Sequence, residues 1–326
     1  MRPKRFALAL LVAAFLVPGT LLRTPEPPHD FKRLATVTPL AVTAAKSGPF
    51  TLAGAWEMTG DRVFFGGWSA LVRLDEQRFL AGSDGGRRLV FERPDRSELP
   101  GVLDRFGADI RAVKESRDLE SLAIDPETGT VWAGYEFRQS IARFDKEFKV
   151  DGEVRPAAMR DWDGNGGPEA LVRFADGRFL VIEESPTGWS GDLHDAILFA
   201  GDPIEGAEAS RLTLAAPAGY RPVDAAPVEA GLALVLLRKV VWSVPVSFDT
   251  ALALVDIEER DTDGNLQARL LAEFGERIPR DNYEGIALTE DADGRHVWLI
   301  SDDNFMSFQR TLLLKLRWHA REKARE

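Results

Sequence analysis

Asp118-Leu119-Glu120-Ser121-Leu122-Ala123 returns, altered but recognisable, as Gly167-Pro168-Glu169-Ala170-Leu171-Val172 and again as Asn282-Tyr283-Glu284-Gly285-Ile286-Ala287. A degenerate copy, Gly66-Gly67-Trp68-Ser69-Ala70-Leu71, precedes all three. The steps from Ser69 to Glu120, Glu120 to Glu169 and Glu169 to Glu284 are 51, 49 and 115 residues, the last close to two periods. A repeat of that length marks a propeller, in which each repeat is one blade and buries its faces only against its neighbours. The phrase therefore sets an all-β fold class, and its recurring acid points to the chemistry.

Around these phrases the chain consists of short strands and tight turns. Arg78-Phe79-Leu80-Ala81, Thr130-Val131-Trp132-Ala133, Arg178-Phe179-Leu180-Val181-Ile182 and His296-Val297-Trp298-Leu299-Ile300 read as strands. Ala175-Asp176-Gly177-Arg178 and Ala292-Asp293-Gly294-Arg295 carry the Asp-Gly pair that joins hairpin strands. The strands group in fours beginning near Trp68, Leu119, Glu169, Val223 and Tyr283, which gives five blades. The stretch from Asp192 to Gly275 is long enough to leave six as the alternative. The last group offers only three strands, so Phe50 to Met58 is expected to complete it from the other end of the chain. The expected organisation is a leader or anchor at 1–22, a linker with one early strand at 23–47, a propeller at 48–318 and a charged tail at 319–326.

Arg2, Lys4 and Arg5 precede an apolar run from Phe6 to Val17, the pattern of a secretory signal. An uncleaved anchor is the alternative, and either way the expectation is a periplasmic or secreted protein that touches membrane only through this segment. Loss of residues 1–22 would take the formal charge from −11 to −14. So acidic a chain argues against nucleic acid, where phosphate contacts dominate affinity, and suits divalent cations or cationic partners. The absence of cysteine excludes disulfides and thiolate sites, so packing and ring closure must hold a monomeric fold together.

The first two strands of a blade are antiparallel neighbours, so the start of one and the end of the next lie at the same end of the hairpin. Polar residues recur at both places. Blade two has Glu120 and Glu136; blade three has Glu169 with Glu183 and Glu184; blade five has Glu284 with Asp302 and Asp303. Blade one has Ser69 with Asp84, and blade four has Asp224 with Arg238. First strands line a propeller's channel, so these groups are expected to converge on one mouth of it. Carboxylates that close repel one another unless cations, shared protons or basic groups intervene. Glu120, Glu169, Glu284, Asp302 and Asp84 are the candidate ligands of Ca²⁺, which takes six to eight oxygens, with Asn165, Asn282 and Asn304 as further donors. The alternative is that each acid serves only to bind backbone amides of a neighbouring blade.

Other motifs carry less. Asp161-Trp162-Asp163-Gly164-Asn165-Gly166 begins like an EF-hand loop, but Val172 stands where its closing Glu belongs, so it reads as a turn into blade three. Asp261-Thr262-Asp263-Gly264-Asn265 reads as an exposed hairpin loop. The four histidines have no ligand spacing, no phosphate loop opens a helix, and the eight tryptophans read as blade-to-blade packing.

Three further phrases join the repeats: Asn165-Gly166-Gly167-Pro168-Glu169-Ala170-Leu171, Ser301-Asp302-Asp303-Asn304, and Phe64-Phe65-Gly66-Gly67-Trp68-Ser69-Ala70-Leu71 with Gly82-Ser83-Asp84. Together with Leu236-Leu237-Arg238 they resemble the exported bacterial phytase-like proteins, the "esterase-like activity of phytase" domain, over Phe64 to Trp318. Glu-Gly-aliphatic phrases also mark calcium-dependent lactonase-like propellers. The resemblance implies a hydrolase of phosphate or carboxylic esters acting on a small polar or anionic substrate. In that reading the cations polarise the ester, Arg238 orients the anionic group, and Glu136 or Glu184 serves as base. A non-catalytic propeller that binds a ligand or partner is the alternative.

Overall fold

The structure is a computed structural model, and it describes residues 31–61, 63–106, 118–164, 166–187, 191–243, 246–306 and 309–319. The expected leader at 1–22, the donor Asn165 and nearly all of the 319–326 tail lie outside the described residues. Among the described residues the strands form five antiparallel blades of four.

Blade one runs Trp68–Arg73, Arg78–Ser83, Arg87–Glu92, Gly101–Arg105, each strand pairing with the next. Blade two runs Leu119–Ile124, Val131–Tyr135, Ser140–Phe144, Val150–Val154. Blade three runs Pro168–Arg173, Phe179–Pro186, Leu193–Phe199, Ala209–Ala215, and Leu266–Gln267 adds a short parallel edge. Blade four runs Arg221–Glu229, Leu232–Val241, Ser247–Asp256, Arg269–Glu273. The stretch from Asp192 to Gly275 is thus divided between blades three and four.

Blade five is built from both ends of the chain. Tyr283–Asp291, Gly294–Ser301 and Thr311–Trp318 pair in sequence, and Phe50–Gly60 pairs with Thr311–Trp318 from Phe50 opposite Trp318 to Met58 opposite Thr311. The strand Leu34–Pro39, within the expected linker, lies between Phe50–Gly60 and Gly101–Arg105 and joins blades five and one into a continuous sheet.

The first strands form a closed ring: blade one touches two, two touches three, three touches four, four touches five, and five returns to one. Five apolar clusters fill the seams between successive blades. Trp68, Phe79 and Trp298 seal the seam of blades five and one, while Trp132 meets Phe179 edge-on between blades two and three. This is the burial a lone blade cannot achieve. Trp242 departs from the expected packing role: it is 88% exposed. Inner strands approach closely enough that Gly285 is required. A Cβ there would lie 2.9 Å from the Ala70 carbonyl carbon and from the Leu71 nitrogen.

Candidate functional site

In every blade the pairing of first and second strands skips one residue near its start. The skipped residues are Ser69, Glu120, Glu169, Val223 and Glu284. Such a bulge adds a residue to one strand and re-aims its side chain. On the second strands, the residues that follow the pair adjoining the bulge are Asp84, Glu136, Glu184, Arg238 and Asp302, and in blade four Arg238 is itself paired with Arg221. The N–H groups of Asp84, Glu136 and Asp302 donate to the carbonyls of Gly67, Asp118 and Asn282 at 2.8–2.9 Å, which fixes each hairpin end in the same way. Two tiers of polar groups thus circle one mouth of the channel.

The predicted site residues do come together. The carboxylates of Glu120, Glu136 and Asp118 place one oxygen each within 4.8 Å of one another, a group able to hold a metal ion. Arg238 donates to Glu184 at 2.7 Å, to Asn282 Oδ1 at 2.9 Å, and closely to Glu284. Asn282 Nδ2 also donates to Glu284 at 2.8 Å. Asp302 stands near Glu284 and Asp84, and its Oδ1 takes the N–H of Asn304 at 2.8 Å.

Burial pushes the Glu169 carboxyl well up, and Glu184, Glu136 and Glu284 push it further. Glu120 is raised by burial and then by Glu169, Asp118, Glu284 and Glu136. Glu284 remains raised by burial even though Arg238 opposes the shift. Asp302 is raised by burial and by Glu284. Burial alone would lower Arg238, yet Glu284 and Glu184 raise it, so it stays charged. Arg238 bonds Glu184 and Glu284, Arg221 lies 3.7 Å from Glu184, and burial with mutual repulsion holds Glu120, Glu169, Glu284 and Asp302 above the ordinary carboxylate range. Hard oxygen donors, negative charge and proximity are what a divalent cation takes up, so the donor set fits one.

Blade four corrects the sequence reading. The acid expected at its rim, Asp224, lies one residue past the bulge, and Val223 occupies the position of the glutamates. Asp224 is buried deeper in the ring, where its carboxylate takes the N–H of Ala225 and of Ile286, each at 2.8 Å. Glu183 also stands off the mouth: it accepts from the Asp163 N–H at 3.0 Å, and burial pushes it up to about 7. Asp163 thereby serves the turn before blade three, as expected of the EF-hand-like phrase. In the Asp261 loop, Oδ1 of Asp261 takes the N–H of Asp263 and of Asn265, an ordinary turn.

Two features were missed. Asp118 completes the metal-capable group, and its signal was its place two residues before the bulge, where Asn282 stands in blade five. An apolar collar also surrounds the acids. Phe137 follows Glu136, and Phe305 and Met306 follow Asp302; all three are more than two-fifths exposed. Phe137, Asn304 and Phe305 adopt positive φ of 47–52°, a conformation that costs about 1–3 kcal/mol for a non-glycine residue and clusters at working sites. In blade four the second and third strands continue past Arg238 as Lys239–Asp249, Val240–Phe248 and Val241–Ser247 pairs. At ~3.3 Å per residue this lip rises about 10 Å above the arginine and ends at Trp242.

Comparison with known proteins agrees with this geometry. A family profile described as phytase-like, esterase-like activity of phytase, matches residues 63–305, which span all five inner strands and both tiers of the mouth. No curated protein sequence matches the chain. Similar solved structures include the hydrazine synthase of Kuenenia stuttgartiensis, with 13% identity over 77% of this chain and 62% of that one and a TM-score of 0.37. Another is the WD40 β-propeller domain of Doa1, with 10% identity over 84% of this chain and 98% of that one and a TM-score of 0.40. The match to the family covers most of the chain and includes every acid of the mouth, and the protein belongs to the phytase-like family.

Proposed function

We propose that the protein is a hydrolase of phosphate or carboxylic esters, with the acidic mouth as its active site and Ca²⁺ as its cofactor. The observation that supports this most is the convergence of Asp118, Glu120 and Glu136, one oxygen of each within 4.8 Å of the others and close to the raised Glu169, inside a family named for esterase-like activity. Asp118, Glu120 and Glu136 would hold the cation, with the remaining rim acids nearby. When bound, the cation would polarise the ester oxygen and lower the pKa of a water beside it.

The chain's own groups then divide the work. Arg238, fixed between Glu184 and Glu284, presents a planar cation to the anionic or carbonyl oxygen of the substrate. Glu184 is engaged by that arginine, so its role is to hold Arg238 in place. Glu169, set between Glu136 and Glu184 and raised by burial, is suited to hold or take the transferred proton. The collar of Phe137, Trp242 and Phe305 favours esters that carry an apolar group beside the reacting bond. The setting we propose is an exported monomer.

A panel of aryl and alkyl phosphate and carboxylic esters, assayed with calcium and with chelator, tests the proposal. It predicts turnover with calcium that chelator removes, and a several-fold rise in KM for aryl esters on Trp242→Ala with kcat unchanged. A protein inert on every ester under both conditions would favour the non-catalytic binding propeller.

A further inference from the structure

The opposite end of the same channel is chemically unlike the acidic mouth. A cavity of about 220 Å³ opens there, and all five inner strands supply its wall. Val72, Ile124, Ala226, Val228 and Leu288 give it an aliphatic surface, while Arg73, Arg173 and Arg295 stand among the lining with a single acid, Glu290. Three guanidinium groups thus gather at one opening, each beside an acid. Each is steadied rather than consumed. Arg73 meets Glu76 at 3.0 Å, Arg173 meets Asp125 at 3.1 Å, and Arg295 lies 3.6 Å from the largely exposed Glu290. Arg173 and Arg295 also lie over the rings of Trp132 and Trp318.

Asp224 is buried beside this chamber. Its carboxylate takes the N–H groups of Ala225 and Ile286, and both of those residues line the cavity. The acid thereby ties blade four to blade five next to the bore. An apolar bore with cations at its entrance selects a ligand with an apolar tail and an anionic head.

We propose that this far opening is a second ligand site, which takes a small amphipathic carboxylate with its chain in the bore and its head among Arg73, Arg173 and Arg295. At roughly 30 Å³ for a water-sized unit of liquid, the bore holds about seven such units, which sets the chain at about eight carbons. The site is independent of the hydrolase reading, because it uses none of the rim residues.

Calorimetric titration of the full chain in chelator with butyrate, hexanoate, octanoate and octylamine tests it. The expected result is an affinity that rises by up to about fourfold per added methylene as far as octanoate, with octylamine binding at least tenfold more weakly. Arg73→Gln combined with Arg295→Gln, both partly exposed, should weaken octanoate at least tenfold, while Glu169→Gln at the other mouth leaves it unchanged. Equal binding of octanoate and octylamine, no binding of either, or loss of octanoate binding on Glu169→Gln would each overturn the proposal. Melting curves confirm that each variant is folded before titration.

Discussion

Blade five carries acids in two settings that the fold treats in opposite ways. At the seam where the ring closes, Asp291 binds Arg93 of blade one through both oxygens, at 2.9 and 2.6 Å, and also Arg96 at 2.7 Å. Asp95 joins Arg93 and Lys315 to the same network. The Arg93 hydrogen bonds hold Asp291 down at about 2. At the mouth, Glu284 and Asp302 stand among other acids, Arg238 bonds Glu284, and both carboxyls are pushed up. Paired charge fastens the ring, whereas crowded acids stand where a ligand can join them. His296 and Asp293 beside Asp291 resemble a metal group by distance alone, but Arg93, Arg96 and Lys315 already satisfy Asp291. Distance among acids is therefore a weaker guide than their charge balance.

The largest effect that would break this comparison lies at the seam. Arg93 is almost wholly buried, and removing one partner of a buried pair costs about 3–5 kcal/mol. Arg93→Ala should lower stability in urea by that amount, and a loss under 1 kcal/mol would show that the network contributes little. At the mouth the prediction reverses. Glu169→Gln should leave the fold as stable as the parent or more stable in chelator, because it removes a repelled carboxylate. In the hydrolase reading it should reduce kcat/KM by about 10²–10³ with calcium, the size of a lost electrostatic or acid–base contribution. A strongly destabilised Glu169→Gln would mean that this acid is structural.

The pH dependence sharpens the same contrast. Asp291 is depressed when folded, so its stabilisation is present above the ordinary carboxylate range near 4 and is lost as pH falls toward about 2. The rim acids are raised when folded, so in chelator their contribution is most favourable at mildly acidic pH and declines as pH climbs through their folded values. Between pH 5 and 8 without cation, stability should fall; below pH 4 it should fall again for the other reason. A flat profile from pH 5 to 8 in chelator would contradict the raised rim.

The ring was legible in the sequence because its repeat and hairpin spacing are local. Residue pairs such as Glu120 with Glu136 needed only the knowledge that two strands share a turn. The fifth blade's closure by Phe50–Gly60 could be read from a shortage of strands, since blades need four. Blade four was misread because its acid is displaced by one residue. In a strand, a shift of one sends a side chain to another surface, and here it sends Asp224 into the ring. The Arg93–Asp291 network spans 198 residues and has no local signature. Trp242 looked like one more packing aromatic until the length of its hairpin set it beyond the core.

The most direct test of the crowded acidic rim is a melting curve at pH 7.5 in calcium and in chelator. A ligand at tenfold excess over its Kd, bound only by the folded chain, adds about 1.4 kcal/mol. The account predicts a higher melting temperature in calcium, a gap that narrows toward pH 5 as protons replace the cation, and a smaller gap in Glu120→Gln. Superimposable curves at pH 7.5 would contradict it.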